Sequence, residues 1–187
     1  MSSGRPWRAC AVGRAALRRA LLSAALSVAA LHEADATAVP IAAGVEAPRF
    51  RLPELARPDD GLVGLDRFFS DTASSPSRQV LLLFAASYCA PCLAELAALP
   101  RLAPGWRKLG VEPVVVVIDT EDGAIAAMRA RLASTGVVAL LDRRTIVARR
   151  YGASELPLAV SIGADGRVAW TSIGGGVEAL DARVRGR

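Results

Sequence analysis

The order of apolar and polar positions divides the chain into short elements of alternating period. Gln79-Val80-Leu81-Leu82-Leu83-Phe84-Ala85-Ala86 is an unbroken apolar segment that suits a strand covered on both faces. Behind it, Leu93, Leu96, Leu99 and Leu102 recur at helical spacing with Ala94, Ala97 and Ala98 between them. That spacing predicts a helix which bends or breaks near Pro100 and is disturbed again by Pro104 before Trp106. Residues 111–118 read as a second buried strand, ending at Asp119. Thr120 offers a cap for a helix over 121–134, whose Ile125, Met128 and Leu132 share one face. Residues 137–141 form a third apolar run, and 145–151 a short helix closed by Gly152. Two further strands, 158–162 and 167–171, flank Asp165-Gly166, a strong hairpin signal. Gly174, Gly175 and Gly176 then lead into a closing helix over 177–184.

Strands that alternate with helices imply right-handed crossovers and a partly parallel sheet. Ahead of this core, residues 44–53 predict a short edge strand around Phe50 and Leu52, with prolines limiting its pairing. Residues 62–69 predict a second short strand followed by a helical turn. Between that turn and Gln79, residues 70–77 hold four serines, a threonine and a proline and read as a surface loop. No internal repeat, coiled coil or phosphate-cradling glycine loop is present in the sequence, and no cofactor is implied.

The first 36 residues have a different character. Arg5, Arg8, Arg14, Arg18 and Arg19 precede a twelve-residue apolar core over 20–31, and Ala34-Asp35-Ala36 and Ala36-Thr37-Ala38 each fit a small-residue cleavage site. This is the layout of a secretory signal peptide over 1–36, since a bilayer span needs about 20 apolar residues. An uncleaved membrane anchor is the alternative, and an organelle transit peptide comes third. Removal after Ala36 takes away five arginines with Glu33 and Asp35, and the formal charge falls from +5 to +2. The basic balance thus belongs mainly to the leader. The pairs Arg143-Arg144 and Arg149-Arg150 have no interleaved aromatics and read as solvated surface, so no nucleic-acid partner is expected.

The chemistry centres on Cys89-Ala90-Pro91-Cys92, where the buried strand turns into the helix. The thiolate is the reactive form of cysteine, and unpaired N–H groups at a helix N-terminus lower a thiol's pKa. Pro91 falls in the first helical turn, where its missing N–H costs no hydrogen bond. Cys92 lies one turn on and can close a small ring with Cys89. A zinc site would need two further ligands, and the remaining candidates, Cys10 and His32, both lie in the leader. No metal is therefore expected. A purely structural disulfide or two unrelated buried thiols remain open, although so small a ring removes little chain entropy.

The stretch Phe84-Ala85-Ala86-Ser87-Tyr88-Cys89-Ala90-Pro91-Cys92-Leu93-Ala94-Glu95-Leu96 resembles the active-site strand, turn and helix of the thioredoxin superfamily, and most of all its TlpA/ResA-like periplasmic thiol:disulfide oxidoreductases. The resemblance covers residues 44–187. It implies an α/β thioredoxin-like fold, a central mixed sheet flanked by helices, with an N-terminal β extension. By the same resemblance Cys89 is the nucleophile, Cys92 the resolving thiol, and the two form a redox-active disulfide. Pro157 stands in the place of the family's cis-proline, which would expose the backbone of Leu156 to a substrate strand. Glu95 matches an acidic position near the thiols, where it could relay protons to Cys92, or it could be a solvated helix glutamate. Tyr88 stands where the family usually has tryptophan, and keeps a flat apolar face for substrate. Leu83 occupies the place of the buried aspartate of thioredoxins proper, and Leu158 replaces a more common threonine.

The implied partners are a protein disulfide substrate and a membrane electron donor that re-reduces the pair, with the protein in the periplasm or anchored facing it. Reduction of selected protein disulfides is the expected direction. A dithiol oxidase or isomerase would use the same residues. A peroxidase would need a threonine three residues before the cysteine, where Ala86 stands, and a copper-delivery or assembly factor would use a histidine that the chain beyond residue 36 lacks.

Overall fold

A computed structural model describes residues 39–69 and 79–186. The expected leader over 1–36 and the expected loop over 70–77 lie outside the described residues. In chain order the elements are β1 (Arg51–Pro53), β2 (Leu62–Gly64), a 3-10 turn (Leu65–Phe68), β3 (Gln79–Ala85), α1 (Ala90–Lys108), β4 (Val111–Val117), α2 (Asp122–Leu132), β5 (Val138–Leu141), α3 (Ile146–Tyr151), β6 (Leu158–Gly163), β7 (Val168–Ile173) and α4 (Gly176–Val184).

Five strands form one mixed sheet in the order β5-β4-β3-β6-β7. The strands β3, β4 and β5 run parallel, while β6 is antiparallel to both β3 and β7. The unbroken apolar run of β3 is explained by its central place. Leu81, Leu83 and Ala85 face one core with α1, α2 and α4, whereas Val80, Leu82 and Phe84 face a second core with α3 and the N-terminal extension. Strand alternation thus serves two buried layers at once. The fold is a central mixed sheet flanked by helices, as expected.

Three local differences from the sequence reading have physical causes. The helix α1 neither ends nor restarts at Pro100 or Pro104, which both lie within it on its exposed face. Burial of Leu96, Leu99, Leu102, Ala103 and Trp106 along the other face holds the helix through the lost hydrogen bonds. Trp106 is also tied to α4, its indole N–H donating to Asp181 Oδ1 at 2.8 Å. Second, α2 starts one residue later than a Thr120 cap would give: Glu121 is its N-cap and makes no side-chain capping bond. Third, the edge strand expected over 44–53 is confined to β1, which pairs on one side with β2 in a two-stranded sheet, while Glu54 just beyond it bridges Leu140 of β5. Pro48 and Pro53 carry no N–H to offer, while the pairing buries Phe50, Leu52 and Val63 against the second core. The hairpin forms as expected, with Gly166 at φ +75° in its turn.

Candidate active site

The carboxyl ends of the parallel strands gather the chemistry-bearing residues. Ala85, Val117 and Leu141 lie in one register row across β3, β4 and β5. From Ala85 the chain turns through Ala86, Ser87 and Tyr88 into α1, with the Cys89 N–H donating to the Ala86 carbonyl at 3.1 Å. Cys89 is the N-cap of α1, and its Sγ accepts the Cys92 N–H at 3.2 Å. Pro91 is in the first turn, where no N–H is required of it.

Cys89 and Cys92 are joined in a disulfide, with an S–S distance of 2.08 Å. The two sulfurs are not equivalent. Cys89 is 7% exposed and lines an open cleft of about 470 Å³, whereas Cys92 is 1% exposed and does not line it. Once reduced, an N-cap thiol has the unpaired amides of the first turn to stabilise its thiolate, which the deeper thiol lacks. The geometry therefore distinguishes an accessible sulfur from a buried one.

Leu156 also lines the cleft, and the Leu156–Pro157 peptide is cis. Residues distant by more than 60 positions in sequence thus meet beside Cys89. Tyr88 is 76% exposed at the cleft margin, presenting its ring to solvent. Ala90, Pro91, Ile118, Ala153 and Ser154 also line it, and among the described residues no charged side chain does.

Glu95 belongs to the buried face of α1, one turn beyond Cys92, and is only 6% exposed. It is therefore not a solvated helix glutamate. Burial pushes its carboxyl up to about 7, which places its proton exchange in the neutral range. Leu83, where thioredoxins proper have an acid, packs in the first core.

One residue escaped the sequence reading. Asp119, two residues beyond the end of β4, is 3% exposed and grips the turn before Cys89. Its carboxylate accepts the Ser87 N–H on Oδ1 at 3.1 Å and Oδ2 at 2.9 Å, and the Ser87 hydroxyl on Oδ1 at 2.7 Å. An acid just after a buried parallel strand, at the sheet edge where α/β ligands gather, was the available signal. Among the described residues no cluster of three or more metal-ligating side chains occurs.

Residues 43–171 match the AhpC/TSA family. No curated protein sequence matches significantly. Among solved structures, a Chlorobium tepidum protein assigned as thiol:disulfide interchange protein DsbE shares 24% identity, with a TM-score of 0.62 over 78% of this chain and 94% of that one. A secreted Mycobacterium tuberculosis disulfide oxidoreductase homologous to Escherichia coli DsbE shares 20%, with a TM-score of 0.52 over 74% and 96%. Mycobacterium tuberculosis AhpC shares 15%, with a TM-score of 0.59 over 79% and 93%. These likenesses establish the thioredoxin-like fold.

Proposed function

From the premise that this chain belongs to the AhpC/TSA family of redox proteins, we propose that it is an exported, TlpA/ResA-like thiol:disulfide oxidoreductase that reduces disulfides of selected extracytoplasmic proteins. The observation that carries the reading is the asymmetric pair: Cys89 at a helix N-cap on an open cleft, and Cys92 buried behind it in disulfide contact. In the forward reaction the Cys89 thiolate attacks a substrate disulfide, forming a mixed disulfide and releasing one substrate thiolate. Cys92, deprotonated as Glu95 takes up its proton, attacks Cys89 Sγ and expels the second substrate thiolate. Two electrons pass to the substrate, and the Cys89–Cys92 disulfide is left. In this reading an extended substrate segment pairs with the backbone at Leu156, ahead of Pro157, and rests on the apolar face of Tyr88; that both residues line the cleft with Cys89 supports it.

Export is supported by the basic and apolar layout of residues 1–36 and by the secreted relative of the same fold. Among the described residues no helix is long and apolar enough to cross a membrane. In an oxidising compartment the cycle needs a dithiol donor, for which a membrane electron carrier is the natural source. The family match favours one second reading, a thiol peroxidase. Ala86 stands where that chemistry places a threonine, so the cleft has no hydroxyl three residues before Cys89 to orient a peroxide.

A redox titration of the protein against defined thiol buffers, with alkylation of Cys89 and Cys92 as readout, tests the reading. A potential near that of thioredoxin, about −270 mV, supports a reductase, and one near about −120 mV reverses the direction to an oxidase. Failure to show a two-electron transition sinks both. Rapid consumption of hydrogen peroxide, with little turnover of protein disulfides, would favour the peroxidase instead.

A further inference from the structure

We propose that a cationic groove on the same sheet edge as Cys89 selects partners carrying an acidic polypeptide segment near their reactive disulfide. This rests on the thiol:disulfide reading above and names the class of partner it would serve. Because Ala85, Val117 and Leu141 share one register row, Cys89 and the Arg143-Arg144 pair leave the sheet from the same edge. The strands β3 and β5 are two spacings apart, roughly 10 Å, and the groove lies toward the face of the sheet that carries α3 and the N-terminal extension, so a partner segment reaches it by passing the end of β4.

The groove has a volume of about 320 Å³ and is lined by Arg51, Arg143, Arg144 and Arg150 over an apolar floor that includes Leu52 and Val147. Four guanidinium groups stand against two carboxylates there, Asp142 and Asp122, which leaves the lining net positive by two charges. The Asp142 carboxylate is occupied by the Ile146 and Ala148 amides, at 3.0 and 2.8 Å. Arg143 pairs with Asp122 at 2.8 Å, and Arg150 gives one N–H to the Arg49 carbonyl at 2.9 Å. Among the described residues no carboxylate forms an ion pair with Arg51, Arg144 or Arg150.

Among the described residues no charged side chain lines the cleft over Cys89, whereas four arginines line the groove, so contact discrimination by charge falls to the groove. Guanidinium groups match carboxylates in a two-pronged geometry, and the apolar floor fits an aliphatic residue set between two acids. A recessed groove of this kind receives a chain segment better than it meets a planar lipid surface.

The test uses the pre-reduced full-length protein in single turnover with three oxidised probes: neutral hydroxyethyl disulfide, a disulfide peptide flanked by glutamates, and the same peptide flanked by lysines. At about 20 mM ionic strength the glutamate peptide is expected to react about 10-fold faster than the lysine peptide, with the preference shrinking severalfold at about 300 mM. The double variant Arg51→Glu with Arg144→Glu should abolish or invert that preference while the neutral disulfide and the melting temperature stay unchanged. Equal rates for the two peptides, with the neutral disulfide still reacting, would overturn the groove's role. Failure of the neutral disulfide to react would instead strike at the redox reading itself. Binding to phosphatidylglycerol vesicles that the double variant abolishes, without any peptide preference, would assign the groove to lipid and also overturn the proposal.

Discussion

Replacing Glu95 with glutamine should change how stability depends on pH, in a direction fixed by burial. The carboxyl rises from 4.5 to about 7 in the folded protein because burial disfavours its charged form. That difference corresponds to about 3 kcal/mol, and residual solvent contact brings it to about 2–3 kcal/mol. Below pH 4.5 both folded and unfolded chains hold the proton, and no cost arises. Between 4.5 and about 7 the unfolded chain ionises first, so stability falls as pH rises. Above about 7 both states are ionised and the loss is constant. Glu95→Gln removes this titration. Oxidised wild type and variant, unfolded in denaturant at intervals from pH 4 to 8, should be similarly stable at pH 4, while the variant gains about 2–3 kcal/mol at pH 8. The oxidised form matters because neither cysteine then titrates. Two stability curves running parallel across the whole range would refute the assignment of a raised, burial-driven pKa to Glu95. The same variant should slow reduction of a protein disulfide and lose any rate inflection near pH 7, since its amide cannot take the Cys92 proton.

Other perturbations address neighbouring parts of the site. Cys92→Ser should accumulate a mixed disulfide between Cys89 and substrate, visible by non-reducing electrophoresis, whereas Cys89→Ser should form none. Asp119→Ala removes the acceptor of three Ser87 contacts and leaves the Ser87 amide without its partner, at a cost of about 1–3 kcal/mol in denaturant unfolding. A slower alkylation of reduced Cys89 in that variant would show that the turn positions the thiol as well as stabilising the fold. Gly152→Ala should lower the melting temperature, because Gly152 has φ +70° and an added Cβ would meet the Val39 carbonyl and Pro40. A loss no larger than that of Gly166→Ala, which has a similar φ of +75° and open space around an added Cβ, would mean that residues 39–41 are not held against the end of α3.

The chain's own order made the candidate site legible, and the reason is locality. Cys89, Pro91 and Cys92 lie within one helical turn, so the strand-to-helix switch and the three-residue spacing fix their relation without help from distant residues. The apolar runs gave the strands and the one-sided faces of α2 for the same reason. Four features depended on where the sheet brought separate segments together. Ser87 meets Asp119, 32 positions away, because β3 and β4 are parallel neighbours whose carboxyl ends coincide. Leu156 reaches the cleft beside Cys89 because the crossover returns β6 against β3. Glu95 could have faced water or the core at its helical position, and packing of α1 against the sheet decided for the core. Pro100 and Pro104 read as a bend or break, since local propensity counts only the lost hydrogen bonds. Burial of the opposite face, from Leu96 to Trp106, outweighs that loss, and such burial is a property of the assembled layers rather than of any single segment.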